Sequence, residues 1–445
     1  MTDHSVPRIF MRQSWCALLA CVTAFPSLAD EAAMVTLKST PEEIGKAWGE
    51  LNKTIILEDM QKNYLKKASA AKISDETLIK RAEEYVKVAK EVAPHWLTEA
   101  AATARAIGVD ETLYQAFIDS QSRNRFLHEC TSYSVSKEHT KDGVILFHKT
   151  RDNVDRPQVA CIVQSSIPGI HKFITVSDAS RIRCSMMVNE KGLAGSGDYP
   201  AEKKKDSSTL VLPPAAPQYR GVMAGSILRH IAERATTTAE ALEIIQDFVK
   251  KGWYAGGDVN ASHWLFVDRE GKILEVANNS KHVVFQYHTE KVYFSRLKKS
   301  PAAQRLEESK EPIDFHAFRN VSRDKSICFG SSISGLTVEI DPAQPERLTC
   351  AWIALPARTV AFPLMMGQSA TPAMLADSQV YQRGKESPAH LPKWEELERG
   401  IHASKEKLKA EIKESIAAGN PEETHVEQLD QWSAEQAAKL FEAMK

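Results

Sequence analysis

Cys130 stands in the stretch "FLHECTSYSV", with Glu129 before it and the hydroxyls of Thr131 and Ser132 after it. A thiol so placed can pack, form a disulfide or attack a carbonyl. The third option becomes specific if the bond between Glu129 and Cys130 is broken. Cys130 would then begin a chain, and its own α-amine, with a reference pKa of about 7.7 to 8.0, could accept the proton of its thiol. One residue would supply nucleophile and base, and the resulting thioester would be cleared by water or another acceptor. The histidines offer no rival: His128, His148, His263 and His282 have no spacing to Cys130 that makes a papain-like pair. No C-x-x-C pair or His/Cys spacing suggests zinc.

The elements around Cys130 change character at its own position. From Asp30 to about Glu129 the pattern reads as almost wholly helical. In "STPEEIGKAW", Ser39 and Thr40 are N-cap candidates, with Pro41 in the first turn. In "PHWLTEAAATARAIGVDETLYQAFIDS", Leu97, Ala101, Ala104 and Ile107 share a face, Gly108 ends the helix, and Asp110 caps a second with Leu113, Tyr114, Phe117 and Ile118 inward. After Cys130 come short β-type runs, "TSYSVS", "GVILFHKT", "QVACIVQSS" and "HKFITVSD". Two helical segments follow, near Val222 to Arg234 and Thr237 to Lys250, the second opened by a capping-box pattern from Thr237 to Glu240. Strands resume with "HWLFVDREGKILEVAN", "HVVFQYH", "KVYFSRL" and "LTCAWIALP", an order that predicts a layered α+β domain. Beyond about Met366 the chain turns polar and helical again, with charges at i, i+4 spacing and no sustained heptad.

The chain has 445 residues, 43% of them hydrophobic, enough for a large core. Its formal net charge of −1 gives no electrostatic reason to expect nucleic acid or an anionic membrane, and "EKKKD" at Glu202 to Asp206 reads as a solvated loop. Arg8 and Arg12 precede an apolar run from Trp15 to Phe25 and small residues at Ser27 and Ala29, the layout of a secretory signal cut after Ala29. That run is shorter than the roughly 20 residues of a membrane span. Cleavage would remove Cys16 and Cys21, leaving Cys130, Cys161, Cys184, Cys328 and Cys350, an odd set in a disulfide-permissive compartment. Three pairings of Cys161, Cys184, Cys328 and Cys350 are open.

"ECTSYSV" followed by "GVILFHKTRDNVD" resembles the start, hairpin and Arg-Asn-x-Asp segment of cysteine N-terminal nucleophile (Ntn) hydrolases. That group includes choloylglycine hydrolases, acid ceramidases and the acyl-coenzyme A:6-aminopenicillanic acid acyltransferase family, peptidase family C45. "MMVNEKGLAGSGDYP" is similar to their shared Asn-Glu-Lys-Gly-Leu turn, and "SHWLFVDREGKILEVAN" to a strand pair with Asp before a turn and Glu after it. "PHWLTEAAATARAIGVDETLYQAFI" and "SICFGSSISGLTVEIDPAQPERLTCAWIALP" resemble the acyltransferase branch in particular, so the likeness runs from about Pro94 to Pro356.

The resemblance implies roles residue by residue. Cys130 is the nucleophile and Glu129 the residue before the autocleavage point, with Thr131 or Ser132 helping to polarise that bond. Asp152 holds the α-amine over the thiol; read alone, "TRDN" is also a capped turn with a surface ion pair. Lys149 stands where related bile-salt enzymes carry arginine, with Arg151 as a neighbouring cation for steering a carboxylate or the thiolate. Two positions depart from the pattern. Asp198 replaces an asparagine, and an anionic carboxylate cannot donate to an oxyanion, so contact with a cationic or hydroxyl-bearing substrate is the expectation there. "VYFSRL" puts Ser295, with Arg296 beside it, where relatives have Thr-Asn-His, leaving Ser295 or Asn260 as the oxyanion donor.

The expected architecture is therefore α+β, a four-layer αββα sandwich with an N-terminal helical segment and a C-terminal helical tail. The expected divisions are a signal peptide over 1–29, a helical prosegment over 30–129, the αββα domain over 130–365 and a helical extension over 366–445. The implied activity is an exported, periplasmic or secreted, self-cleaving hydrolase of a linear amide, an N-acyl amine or peptide-like C–N bond, through a thioester, with acyl transfer as its variant. The competing expectations are a dipeptidase or bile-salt-type amidase of the same superfamily, and a non-catalytic exported binding or scaffold protein with this fold. No metal or organic cofactor is implied. The expected partners are a small-molecule amide and the chain's own cleaved helical segment, retained after cutting, with no nucleic acid and no membrane span.

Overall fold

A computed structural model of the chain describes residues 34–119, 130–153, 156–198, 210–257, 261–376, 383–384, 386 and 392–444. The expected signal segment, Glu129 and Asn260 lie outside the described residues. The chain divides into two compact units.

The first unit is helical. Thr40 caps the helix Pro41–Asp59 through a reciprocal capping box with Glu43, and Gly108, at φ 81°, ends the helix His95–Ile107. Asp110 accepts from the Leu113 N–H at 3.0 Å to start Glu111–Ile118. Pro41–Asp59 crosses His95–Ile107 at Gly45, where a Cβ would sit 2.2 Å from the Glu99 carbonyl oxygen. That close crossing rotates the buried stripe of His95–Ile107 from the expected Leu97 and Ala101 toward Trp96, Glu99, Ala100 and Thr103. Thr103 Oγ1 closes the crossing with a hydrogen bond to the Gly45 carbonyl at 2.9 Å.

The second unit stacks two sheets. An eight-stranded sheet runs β1(Met34–Ser39), β4(Gln158–Ser165), β5(Phe173–Asp178), β6(Met186–Asn189), β7(Ala194–Asp198), β8(Ala261–Val267), β9(Ile273–Asn279) and β10(Val283–His288) in spatial order. A six-stranded sheet runs β11(Tyr293–Phe294), β2(Thr131–Val135), β3(Ile145–Asp152), β12(Ser332–Ile340), β13(Cys350–Ala354) and β14(Phe362–Met365). All pairings are antiparallel except β1 with β4. The helices Ala224–Arg234 and Thr238–Lys250 cover the eight-stranded sheet. Phe315–Val321, Pro392–Ala417 and Glu422–Ala443 cover the six-stranded one, which completes the αββα order.

One stretch differs from the sequence reading. Met34–Ser39 lies in the region expected to be helical but is a strand, because "MVTLKS" pairs in unbroken parallel register with Ala160 to Ser165. Six residues carry too little periodicity to separate strand from helix; the partner strand decides. No helix among the described residues is long and apolar enough to cross a membrane.

The C-terminal helices are tied to the six-stranded sheet by charge as well as apolar surface. Glu339 on β12 is buried, accepts from Trp352 Nε1 at 2.6 Å, meets His402 Nε2 at 2.9 Å and pairs with the fully buried Lys405. Burial alone would raise the Glu339 carboxyl, but Lys405 and His402 hold it well below the usual carboxylate range. A carboxylate depressed in the folded state stabilises the fold above its unfolded pKa of about 4.3 and loses that contribution as pH falls through its folded value. Lys405→Met should therefore cost about 3–5 kcal/mol in denaturant melts at pH 7. The deficit should shrink below pH of about 4, where the carboxylate protonates in the unfolded chain.

Candidate active site

Cys130 leads directly into β2, so the pleat decides what surrounds it. Along β2, Tyr133 faces the helical layer, stacked on Phe294 with ring centroids 4.7 Å apart and tilted against Phe318 at 4.6 Å. Ser132 faces the opposite way, into the space between the sheets. Its cross-strand partner is Lys149 on β3, so both point toward the eight-stranded sheet.

There the two sheets are joined by polar groups. Lys149 Nζ lies 2.8 Å from Asp198 Oδ1 on β7, both side chains essentially without exposure. The same ammonium donates to the carbonyls of Ser185, at 3.0 Å, and Gly197. Ser132 Oγ reaches Asp198 Oδ2 at 3.0 Å and Ser196 Oγ at 2.8 Å. Two residues along β3, Arg151 crosses the same gap to grip Asp178 on β5 with both forks, at 2.8 and 3.2 Å, and also donates to Gln158 at 2.8 Å. Burial would raise the Asp178 carboxyl; Arg151 and Arg156 hold it well below the usual range. Both cations that the sequence offered for steering a carboxylate are thus engaged by carboxylates of the chain itself.

Asp152 ends β3, where a bulge between Ser332 and Ser334 lets Ser332 donate to Asp152 Oδ1. Ser295 follows β11 and extends its ladder: its N–H donates to the Ser132 carbonyl at 2.8 Å and its Oγ accepts from the Ser132 N–H at 3.0 Å. The acceptance leaves the Ser295 hydroxyl hydrogen to be donated elsewhere. Arg296 beside it is buried. Thr131 Oγ1 is buried and has no hydrogen-bond partner among the described residues.

The thiol of Cys130 sits among these groups. Burial pushes it up from its ordinary value, Lys149 pulls it back, the Asp198 and Asp152 carboxylates push it up again, and a hydrogen bond from the Asp152 backbone N–H pulls it down. The net direction is upward, so at neutral pH the sulfur carries its proton and needs a base. His148 is not that base: it lies on the other face of β3 with its ring nitrogens on Thr337 and Thr150, each at 2.8 Å, and burial holds it well below the usual histidine value. His263 and His288 both address Glu275, at 2.6 and 3.2 Å.

The structure brings Cys130, Lys149, Asp152, Asp198 and Ser295 around one end of the inter-sheet space. Sequence reasoning missed Ser332, Ser196, Asp178 and the carbonyls of Ser185 and Gly197. These come from separate stretches with no common spacing, and only strand pairing across the sandwich unites them. The described cysteines are all free and buried, with no bridge among Cys161, Cys184, Cys328 and Cys350.

No family model matches the chain and no curated protein matches it. Among solved structures, penicillin V acylase from Agrobacterium tumefaciens is 13% identical with a TM-score of 0.34, over 53% of this chain and 86% of that one. The N-acylethanolamine-hydrolyzing acid amidase ortholog of Caenorhabditis elegans is 11% identical with a TM-score of 0.35, over 49% of this chain and 94% of that one. A conjugated bile acid hydrolase variant from Clostridium perfringens is 13% identical with a TM-score of 0.35, over 53% and 92%.

The charges set the thiol in opposite directions, which can be measured. Asp198→Asn should move the pH midpoint of Cys130 alkylation downward, because a group that raises the thiol is gone and Lys149 is left unneutralised. Lys149→Met should move it upward. Alkylation followed by mass spectrometry reads both; equal midpoints in the two variants would disconnect the ion pair from the thiol.

Proposed function

We propose that this protein is an exported cysteine Ntn hydrolase that cuts its own chain between Glu129 and Cys130 and then cleaves a linear amide through a thioester. The observation that carries the reading is the place of Cys130: it leads into β2 on a buried sheet layer, among Lys149, Asp152 and Asp198, while His148 on the neighbouring strand is held by Thr337 and Thr150. A base supplied by the residue itself meets the thiol's need for one.

In the first step the Cys130 sulfur attacks the Glu129 carbonyl carbon, a C–S bond forms, the peptide C–N bond breaks, and the nitrogen takes the proton to become a free amine. Water then cleaves the thioester and leaves a Glu129 carboxylate. Thr131, whose hydroxyl is unpartnered among the described residues, is the group for polarising the peptide, since Ser132 is committed to Asp198 and Ser196. In the mature enzyme Asp152, fixed by Ser332, holds the new amine while it takes the thiol proton, and the sulfur adds to the substrate carbonyl. The amine returns the proton to the leaving nitrogen and then activates water to release the acyl group. Ser295 donates to the oxyanion, with Asn260 as the alternative donor that the sequence offers. Lys149 and Asp198 position the strands and set the thiol's charge environment; Arg151 does the same one step along β3.

The segment ahead of the cut would stay attached after cleavage. Met34–Ser39 is a strand of the eight-stranded sheet, bonded along its length to β4, and its register does not depend on the Glu129–Cys130 bond.

Intact mass and N-terminal sequencing of purified protein test the proposal. Two fragments are expected, one starting Asp-Glu-Ala-Ala at Asp30 and one starting Cys-Thr-Ser-Tyr at Cys130, eluting together. Cys130→Ala should give one uncut chain that resists acylating thiol probes; cutting that persists in this variant would assign the cleavage to another protease. On an N-acyl amine found by screening, Ser295→Ala should lower kcat about 10²-fold with the two fragments still formed.

A further inference from the structure

One edge of the eight-stranded sheet is left open, among the described residues, in a way that edge strands rarely are. β10 pairs with β9 through unbroken register from Val283 to His288, with no bulge, and its sequence VVFQYH contains no proline, lysine or carboxylate. Native edges are usually guarded by one of those devices. The hairpin closes with the Asn279 N–H on the His282 carbonyl at 3.0 Å. Bonded pairs alternate from there, so residues 284, 286 and 288 address β9, while Val283, Phe285 and Tyr287 turn their N–H and C=O groups away from it. Phe285 and Tyr287 are also the large apolar side chains exposed here, at 46% and 41%, with rings 6.4 Å apart.

We propose that β10 is a dimerisation edge: two copies of this chain pair β10 against β10, antiparallel and centred on Phe285, joining their eight-stranded sheets into one.

The strand is complementary to itself in that arrangement. A two-fold axis perpendicular to the sheet keeps each face on its own side, so Phe285 meets Phe285 of the second copy and Val283 meets its Tyr287. All the outward donors and acceptors of residues 283, 285 and 287 then face outward groups of the copy. Charge favours the same direction: in this register Lys281, just before the strand, lies opposite the copy's Thr289 and next to its Glu290, whose carboxylate also meets His288 Nδ1 at 3.3 Å and the Thr289 N–H at 3.0 Å. A parallel arrangement would set like charges together. The formal net charge of −1 leaves little repulsion between copies. The inner face of β10 carries His288, bonded to Glu275 of β9, which holds His263, the register partner of Asp198. Pairing at β10 would thus brace the strand series that ends at Asp198.

A strand pair with its aromatic contacts is smaller than the roughly 1,600 Å² of a standard interface, so the dimer should dissociate on dilution. Sedimentation velocity on the purified protein should show a dimer whose fraction rises with concentration up to about 100 μM. Phe285→Lys should shift it to monomer while circular dichroism stays unchanged, since the side chain is exposed. Phe285→Cys supplies an exposed thiol where all described cysteines are buried, and mild oxidation should link the two copies through it. A monomer throughout that range overturns the proposal, as does a dimer that survives Phe285→Lys and forms no link through the thiol introduced by Phe285→Cys. These readouts do not use the thiol chemistry of Cys130, so loss of self-cleavage leaves them interpretable.

Discussion

The ion pair between Lys149 and Asp198 joins the two sheets at the end where Cys130 lies. A lysine and an aspartate with no solvent exposure are costly to bury, and leaving either without the other would cost about 3–5 kcal/mol. The pair therefore tolerates little error in how β3 lies over β7. Its surroundings complete the constraint: the ammonium is also held by the carbonyls of Ser185 and Gly197, and the carboxylate by Ser132, two residues from the thiol. Arg151 and Asp178 repeat the arrangement one pleat further along β3. Together they set the register of the sandwich and the field in which the sulfur sits.

That field has a consequence for the chemistry. A buried thiol flanked by Asp152 and Asp198 is held in its protonated form despite Lys149. The imidazoles described on neighbouring strands are tied to threonines or to Glu275, so the proposed nucleophile would have to bring its own base. Ser295 is locked to Ser132 through two backbone-directed bonds, in the ladder that leads to Cys130.

Much of the layering was legible in the chain. The apolar β-type runs in "GVILFHKT" and "HWLFVDREGKILEVAN", the N-cap candidate Thr40, the capping-box pattern at Thr237 and the stop at Gly108 are local signals whose physics acts over a few residues. Three features were not legible. Met34–Ser39 is a strand because β4, far away in sequence, lies beside it. The buried stripe of His95–Ile107 is rotated because Gly45 admits the other helix so closely. The tail reads as a helical extension with charges at i, i+4 spacing, but nothing along it marks Lys405 as the one that is fully buried against Glu339 of β12.

The sequence by itself determined which residue types could act, Cys130 with its flanking hydroxyls, Asp152 and Ser295, and the order of strands and helices that carry them. Their identities and local propensities are properties of the chain within a few residues. The tertiary structure decided what Lys149, Arg151 and Asp198 do. As residues on a line they are free charges available to a ligand; in the folded sandwich each is opposed by a group on another strand. Desolvation makes those oppositions obligatory, and it acts only once the two sheets have closed on each other.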